Sequence, residues 1–201
     1  KLFLKLKLMC GISGLYNYSL KKIDAKSIIK KILKLQKLRG PDDEGIWQSN
    51  CDKVYFGHNR LSIIDLTKNG KQPFISLDKK FIITFNGEIY NFHEIKNELI
   101  DKKVKFKSNT DTEVIIESYK FWGIDFLKKL RGMFAFALWD LNKEKLILAR
   151  DPFGIKPLYY SNKNGIYYFA SQVKSLLSLD DVSTNKSPAG VVNFYMWGNM
   201  Q

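Results

Sequence analysis

The chain has 201 residues, 45% of them hydrophobic, and its 33 Lys and Arg against 20 Asp and Glu leave a formal net charge of +13. That length and apolar content suit one large domain with its own core, and no apolar run approaches the ~18–20 residues of a membrane span. Arginine stands only at positions 39, 60, 131 and 150, so the basicity is nearly all lysine, scattered among acidic residues without an aromatic-interleaved basic stripe; neither nucleic acid nor a membrane is expected as a partner.

In chain order, residues 1–9 read as a leader or removed extension, with no apolar core of about 7–15 residues and no small-residue cleavage site. Cys10 to Tyr18 reads as a strand. Residues 24–38 repeat apolar side chains at Ala25, Ile28, Ile29, Ile32, Leu33 and Leu35, the period of a helix with lysines on its outer face. Arg39-Gly40-Pro41-Asp42-Asp43-Glu44-Gly45 reads as a turn-rich loop. Val54–His58, Leu61–Leu66 and Phe81–Asn86 read as strands, the last ending in a tight turn at Asn86-Gly87.

Asn91–Ile100 reads as a short helix. Thr110-Asp111-Thr112-Glu113 has the pattern of a capping box and puts Asp111 in the first turn of a helix running to about Phe121. Met133–Trp139, Lys145–Ala149, Leu158–Tyr160 and Ile166–Ala170 read as strands, followed by a helix near Gln172–Leu179. Strands in two groups with helices between and after them predict two stacked antiparallel sheets covered by helices. The last stretch is polar and then turns apolar at Val191–Trp197, as if cut inside a larger protein.

The two cysteines, Cys10 and Cys51, are too few for a disulfide framework and lack metal-ligand spacing, so no metal is expected and a reducing cytoplasm is the simplest compartment. Met9-Cys10-Gly11-Ile12 carries more information. A small residue after Met favours removal of the Met, which would leave Cys10 with a free α-amine beside its thiol. Reference pKa values of about 8.5 for the thiol and 7.7–8.0 for the amine let the amine take the thiol proton near neutrality. A leader left in place would acylate that amine and remove the base. The plainer reading of Cys10 is a small buried residue at the start of a strand. His58 is an alternative, papain-like partner for the thiol, and His58 and His93 otherwise read as ordinary histidines.

Six stretches carry a resemblance: Cys10-Gly11-Ile12, Arg39-Gly40-Pro41-Asp42, residues 57–65 (Gly-His-Asn-Arg-Leu-Ser-Ile-Ile-Asp), Phe85 to Asn91 (Phe-Asn-Gly-Glu-Ile-Tyr-Asn), residues 108–113, and Asp151 to Tyr160. Together, in unbroken order from residue 9 to about 200, they resemble the glutamine amidotransferase domain of glutamine-hydrolysing asparagine synthetases. The resemblance implies an α+β fold, the αββα sandwich of the N-terminal-nucleophile hydrolases, over residues 10–180. Residues 181–201 would then be a linker and the start of a synthetase domain.

The resemblance also implies catalysis by Cys10, with Asn86 and Gly87 as oxyanion donors. The plainer reading of Asn86-Gly87 is a hairpin turn. Substrate binding falls to Arg60, Leu61, Ser62, Ile63, Ile64, Asn86, Gly87, Glu88 and Asp111, with L-glutamine as the substrate. Arg60 would clamp its α-carboxylate in two-point fashion, and Glu88 and Asp111 would take its α-ammonium. Arg60-Leu61-Ser62-Ile63-Ile64-Asp65 resembles the asparagine-synthetase branch rather than the sugar-phosphate or purine branches.

No pyrophosphate-binding Ser-Gly-Gly loop and no Walker-type loop is present. The segment therefore calls for no cofactor of its own. ATP and Mg belong to a synthetase domain expected in cis or trans, and a homodimer is left open. Two other readings remain: an amidotransferase for another carboxylate acceptor such as a surface sugar, and a non-catalytic relic whose Cys10 amine is blocked.

Overall fold

Alternate residues of each strand divide into two apolar sets, and that division builds four layers. The computed structural model describes residues 9–61 and 71–198. One sheet has five strands, in the order β2 (Asp43–Gln48), β3 (Val54–Arg60), β1 (Gly11–Asn17), β9 (Ile166–Ala170) and β8 (Tyr159–Lys163). The other has four, β4 (Phe74–Ile75), β5 (Phe81–Ile89), β6 (Gly132–Asp140) and β7 (Lys145–Arg150), and the pairings are antiparallel throughout.

Between the sheets lie Val54, Phe56, Ile82, Ala137, Trp139 and Phe169. Behind the five-stranded sheet, Leu15, Tyr55 and Tyr168 pack on α1 (Ala25–Gln36) through Ile29, Ile32 and Leu33. Behind the four-stranded sheet, Ile83, Phe85, Phe134 and Phe136 meet α2 (Phe92–Asp101) and α3 (Asp111–Trp122) through Ile95, Leu99, Val114 and Ile115. Each fully buried side chain of this size contributes about 1.5–3 kcal/mol. The expected αββα sandwich is the observed architecture.

Helix ends follow their capping residues. Asp24 accepts from the Ser27 N–H at 3.0 Å to start α1. Thr110 accepts from the Glu113 N–H at 3.3 Å to start α3. Glu113 reaches back to the main-chain N–H groups of Lys107 and Ser108 rather than to that of Thr110, a wider form of the expected capping box. A 3-10 stretch, Gly123–Lys129, follows α3, and α4 (Val173–Leu177) follows β9. The apolar run near the end forms α5 (Pro188–Trp197), capped by Ser187 and closed by Gly198 in the left-handed region at φ 71°.

Three local expectations change. Asp43-Glu44-Gly45 is not loop but the start of β2, paired with Arg60, Asn59 and His58. The turn expected at Asn86-Gly87 is absent: β5 continues to Ile89, with Asn86 opposite Ala135 and Gly87 opposite Phe134. The expected strand Leu61–Leu66 begins one residue past the end of β3, and the rest of it lies outside the described residues, as do Ser62, Ile63 and Ile64.

Candidate active site

Cys10 stands immediately before β1. By the alternation of that strand, its side chain falls with Ile12 and Tyr16 on the face toward the second sheet. Its thiol accepts from the Leu61 N–H, with N to Sγ 3.3 Å, and faces the Leu61 carbonyl at 3.8 Å. Burial pushes the thiol above its ordinary value, while the Leu61 N–H and the nearby cations Arg60, Arg39 and Lys156 pull the other way. The Arg39 Nε donates to the Cys10 carbonyl at 3.0 Å, which fixes the main chain of the residue.

Across the gap, β5 turns its even-numbered residues toward the first sheet. Ile82 lies in the dry layer, Thr84 donates to the Gly57 carbonyl at 3.3 Å, and Asn86 comes next. Asn86 is buried, and its Nδ2 has no hydrogen-bond partner among the described residues. A buried amide donor left in this state is costly unless something else accepts from it.

Gly87 supplies the second donor by register. The main-chain N–H and C=O of Phe134 both bond around Asp151, toward the β7 side. Gly87, opposite Phe134, therefore turns its own N–H away from β6. On that outer edge the Phe85 N–H donates to Gln72 Oε1 at 2.6 Å and the Ile89 N–H donates to Asp111 Oδ2 at 3.2 Å. The Gly87 N–H points out between them. A side chain here would meet the Met133 carbonyl at 2.3 Å and Phe134 Cα at 2.7 Å, so only glycine fits.

Asp111, in the first turn of α3, borders this edge. Burial raises its carboxyl pKa and Glu88 raises it further, against the lowering effect of the Ile89 and Thr112 N–H groups. Glu88, half-buried, comes two residues after Asn86 on the same face of β5. Arg60 ends β3 opposite Asp43, and its charge reaches both the Cys10 thiol and His58. Cys10, Arg60, Leu61, Glu88 and Asp111 thus surround one end of the gap between the sheets, with Asn86 and Gly87 on its far wall.

His58 does not partner the thiol. Its Nδ1 lies 3.1 Å from Thr84 Oγ1, and burial, helped by Arg60, drops its pKa to about 3. An imidazole so shifted stays uncharged near neutrality and is a poor base. Cys51 is exposed at the opposite end, beside Ser49.

Three further residues shape the site. Arg39 lies within the Arg39–Asp42 motif, which by itself gives it no role. Gln72 bonds both main-chain groups of Phe85, its Nε2 donating to the carbonyl at 3.2 Å. Lys156, inside Asp151–Tyr160, is only 7% exposed and brings its Nζ to 3.1 Å from the Met9 sulfur. A lysine between apolar residues and a proline was the one signal for the last.

A thiol at the head of a central strand, across an αββα sandwich from an Asn86 amide that has no partner among the described residues, is the arrangement to set beside known proteins. The solved glutamine phosphoribosylpyrophosphate amidotransferase from B. subtilis shares the fold, with a TM-score of 0.69 at 22% identity over 83% of this chain and 43% of that one. Residues 9–201 match the model of the glutamine amidotransferase domain, and the chain belongs to that family. It is 43% identical over 181 residues to the glutamine-hydrolysing asparagine synthetase 1 of Bacillus subtilis, covering 89% of this chain and 28% of that protein. Amidase chry2 of Gibberella zeae is 41% identical over 179 residues, covering 85% of this chain and 26% of that protein. The chain thus spans about a quarter of the length of these curated relatives. Among the described residues no helix is long and apolar enough to cross a membrane.

Proposed function

We propose that this chain hydrolyses L-glutamine to glutamate and ammonia as the glutaminase half of an asparagine synthetase. The observation that carries the reading is the buried Nδ2 of Asn86, without a partner among the described residues, on the strand face that looks toward the Cys10 side of the gap. With Met9 removed, the Cys10 α-amine takes the thiol proton and the thiolate attacks the side-chain amide carbon of glutamine. Negative charge gathers on the amide oxygen, where Asn86 Nδ2 and the Gly87 N–H receive it. The amine returns its proton to the departing ammonia, and water then releases glutamate from the thioester. Arg60 holds the substrate α-carboxylate, and Glu88 and Asp111 hold the α-ammonium.

The ammonia goes to an ATP- and Mg-using synthetase domain, in cis or trans, that converts aspartate to asparagine. The names of the curated relatives favour this acceptor. The reduced state that the thiol requires fits a cytoplasmic location.

The test compares a form whose N-terminus is a free Cys10 with one that keeps an uncleavable residue ahead of it. Ammonia release from L-glutamine is expected from the first and near absence from the second, with the first carrying Cys10→Ala as the blank. Equal turnover by both, with mass spectrometry showing the extra residue intact, would sink the amine mechanism.

A further inference from the structure

Lys156 is a buried lysine whose position the loop holds on all sides. Asp151 accepts from the N–H groups of Lys156 at 3.0 Å, Ile155 at 2.9 Å and Phe134 at 3.2 Å, while the Arg150 Nε donates to the Lys156 carbonyl at 2.8 Å. Burial alone would raise the Asp151 carboxyl, but these N–H groups bring it below its ordinary value, so the brace stays ionised. The side chain then runs to the thioether of Met9, a weak acceptor for an ammonium. Among the described residues no carboxylate stands within ion-pairing distance of its Nζ.

A cation there favours the chemistry of the site. An α-amine of ordinary pKa, about 7.7–8.0, is only in part unprotonated at neutral pH, so only that part can act as base. A like charge beside it favours the neutral form, and the same charge favours the thiolate. Lys156 touches the side chain of Met9, the residue whose departure creates the amine. The charges that face the pair are Arg39 after α1, Arg60 at the end of β3, Glu88 on β5 and Asp151 in the loop; burial and Arg39 lower the Lys156 pKa, while the Cys10 thiolate, Glu88 and Asp151 hold it up.

We propose that Lys156 is a positioning residue for glutamine hydrolysis: its buried ammonium stands beside the new N-terminus, keeps the Cys10 amine unprotonated and stabilises the thiolate. This rests on the reading that Cys10 with a free amine is the nucleophile. Lys156 moves no proton itself and makes no contact with glutamine.

The test uses the protein with a free Cys10, confirmed by mass spectrometry, as wild type and as Lys156→Met, Lys156→Gln and Lys156→Arg. Two pH profiles are measured, kcat/KM for ammonia release and the rate of Cys10 alkylation by iodoacetamide. In Lys156→Met and Lys156→Gln the acid limb of both profiles is expected to move to higher pH by about one pH unit, the size of a single close charge. The loss near pH 6.5 is then about tenfold and shrinks by about pH 8.5, with KM within about twofold of wild type. Lys156→Arg is expected to restore the wild-type profile.

Superimposable profiles for wild type and the two neutral variants would overturn the proposal. So would a pH-independent loss that Lys156→Arg does not rescue, which marks a packing role, or a rise in KM alone, which marks a substrate contact. Should wild type release no ammonia, the glutaminase reading fails, and the alkylation profiles still judge the role of Lys156.

Discussion

The layer between the two sheets has two ends built on the same strands and the same alternation. At one end Phe56 and Phe169 meet edge to face at 5.7 Å, and Tyr16 lies 5.3 Å from Trp139, in a packed apolar interior. At the other end the next same-face positions are His58 on β3 and Thr84 and Asn86 on β5, with Cys10 ahead of β1. The backbone does not become irregular between them. What changes is side-chain chemistry at positions two residues apart, and with it the state of the polar groups. The lesson is that a regular strand pair can gather a thiol and polar donors at one end, because the strand already fixes the direction of every side chain and N–H.

This contrast can be broken from either end. The largest effect is expected for Asn86→Ala, which removes one oxyanion donor. kcat for ammonia release should fall about 10²–10³-fold with a small change in KM. A kcat within a fewfold of wild type would return Asn86 to a purely structural place in β5.

Arg60→Lys keeps the charge but loses the planar two-point grip on a carboxylate. Affinity for glutamine, measured by calorimetry on the Cys10→Ala background, should weaken by about 1–3 kcal/mol. A large drop in melting temperature with unchanged affinity would make Arg60 a framework residue. At the dry end, Ile82→Val removes one buried methylene and should cost about 0.5–1.5 kcal/mol in denaturant unfolding. Its kcat and KM should stay as in wild type, and a shift in either would show that the two ends are coupled.

How much of this was legible in the sequence depends on what each residue signals. The apolar periods of α1, β5 and β6 gave those elements, because burial on one face leaves a pattern in the chain. Glycine points the wrong way at two places. In the sequence Gly45 reads as part of a turn and Asn86-Gly87 as the end of a strand, because glycine usually marks conformational freedom. Here it marks thinness: a Cβ at Gly45 would meet the Gln72 carbonyl at 1.9 Å, just as one at Gly87 would strike β6. The resemblance, rather than any pattern, drew Cys10, Arg60, Asn86 and Asp111 to one place. Lys156 escaped even so, since its aim is set by Asp151 collecting N–H groups from its own loop, and such a brace has no period.

β4 is only two residues long, and its brevity has an architectural reason. It pairs Phe74 with Ile83 and Ile75 with Ile82, and one step past Pro73 the side chain of Gln72 takes over, meeting the Phe85 N–H and carbonyl as a neighbouring strand would. Were the main chain to pair in the same register four residues before Phe74, the ladder would reach Gly87. That ladder would engage the N–H proposed above as an oxyanion donor. A glutamine amide thus finishes the sheet edge at Phe85, closing it there against further pairing. On the proposed reading, lengthening β4 would make this sheet more regular and glutamine hydrolysis slower.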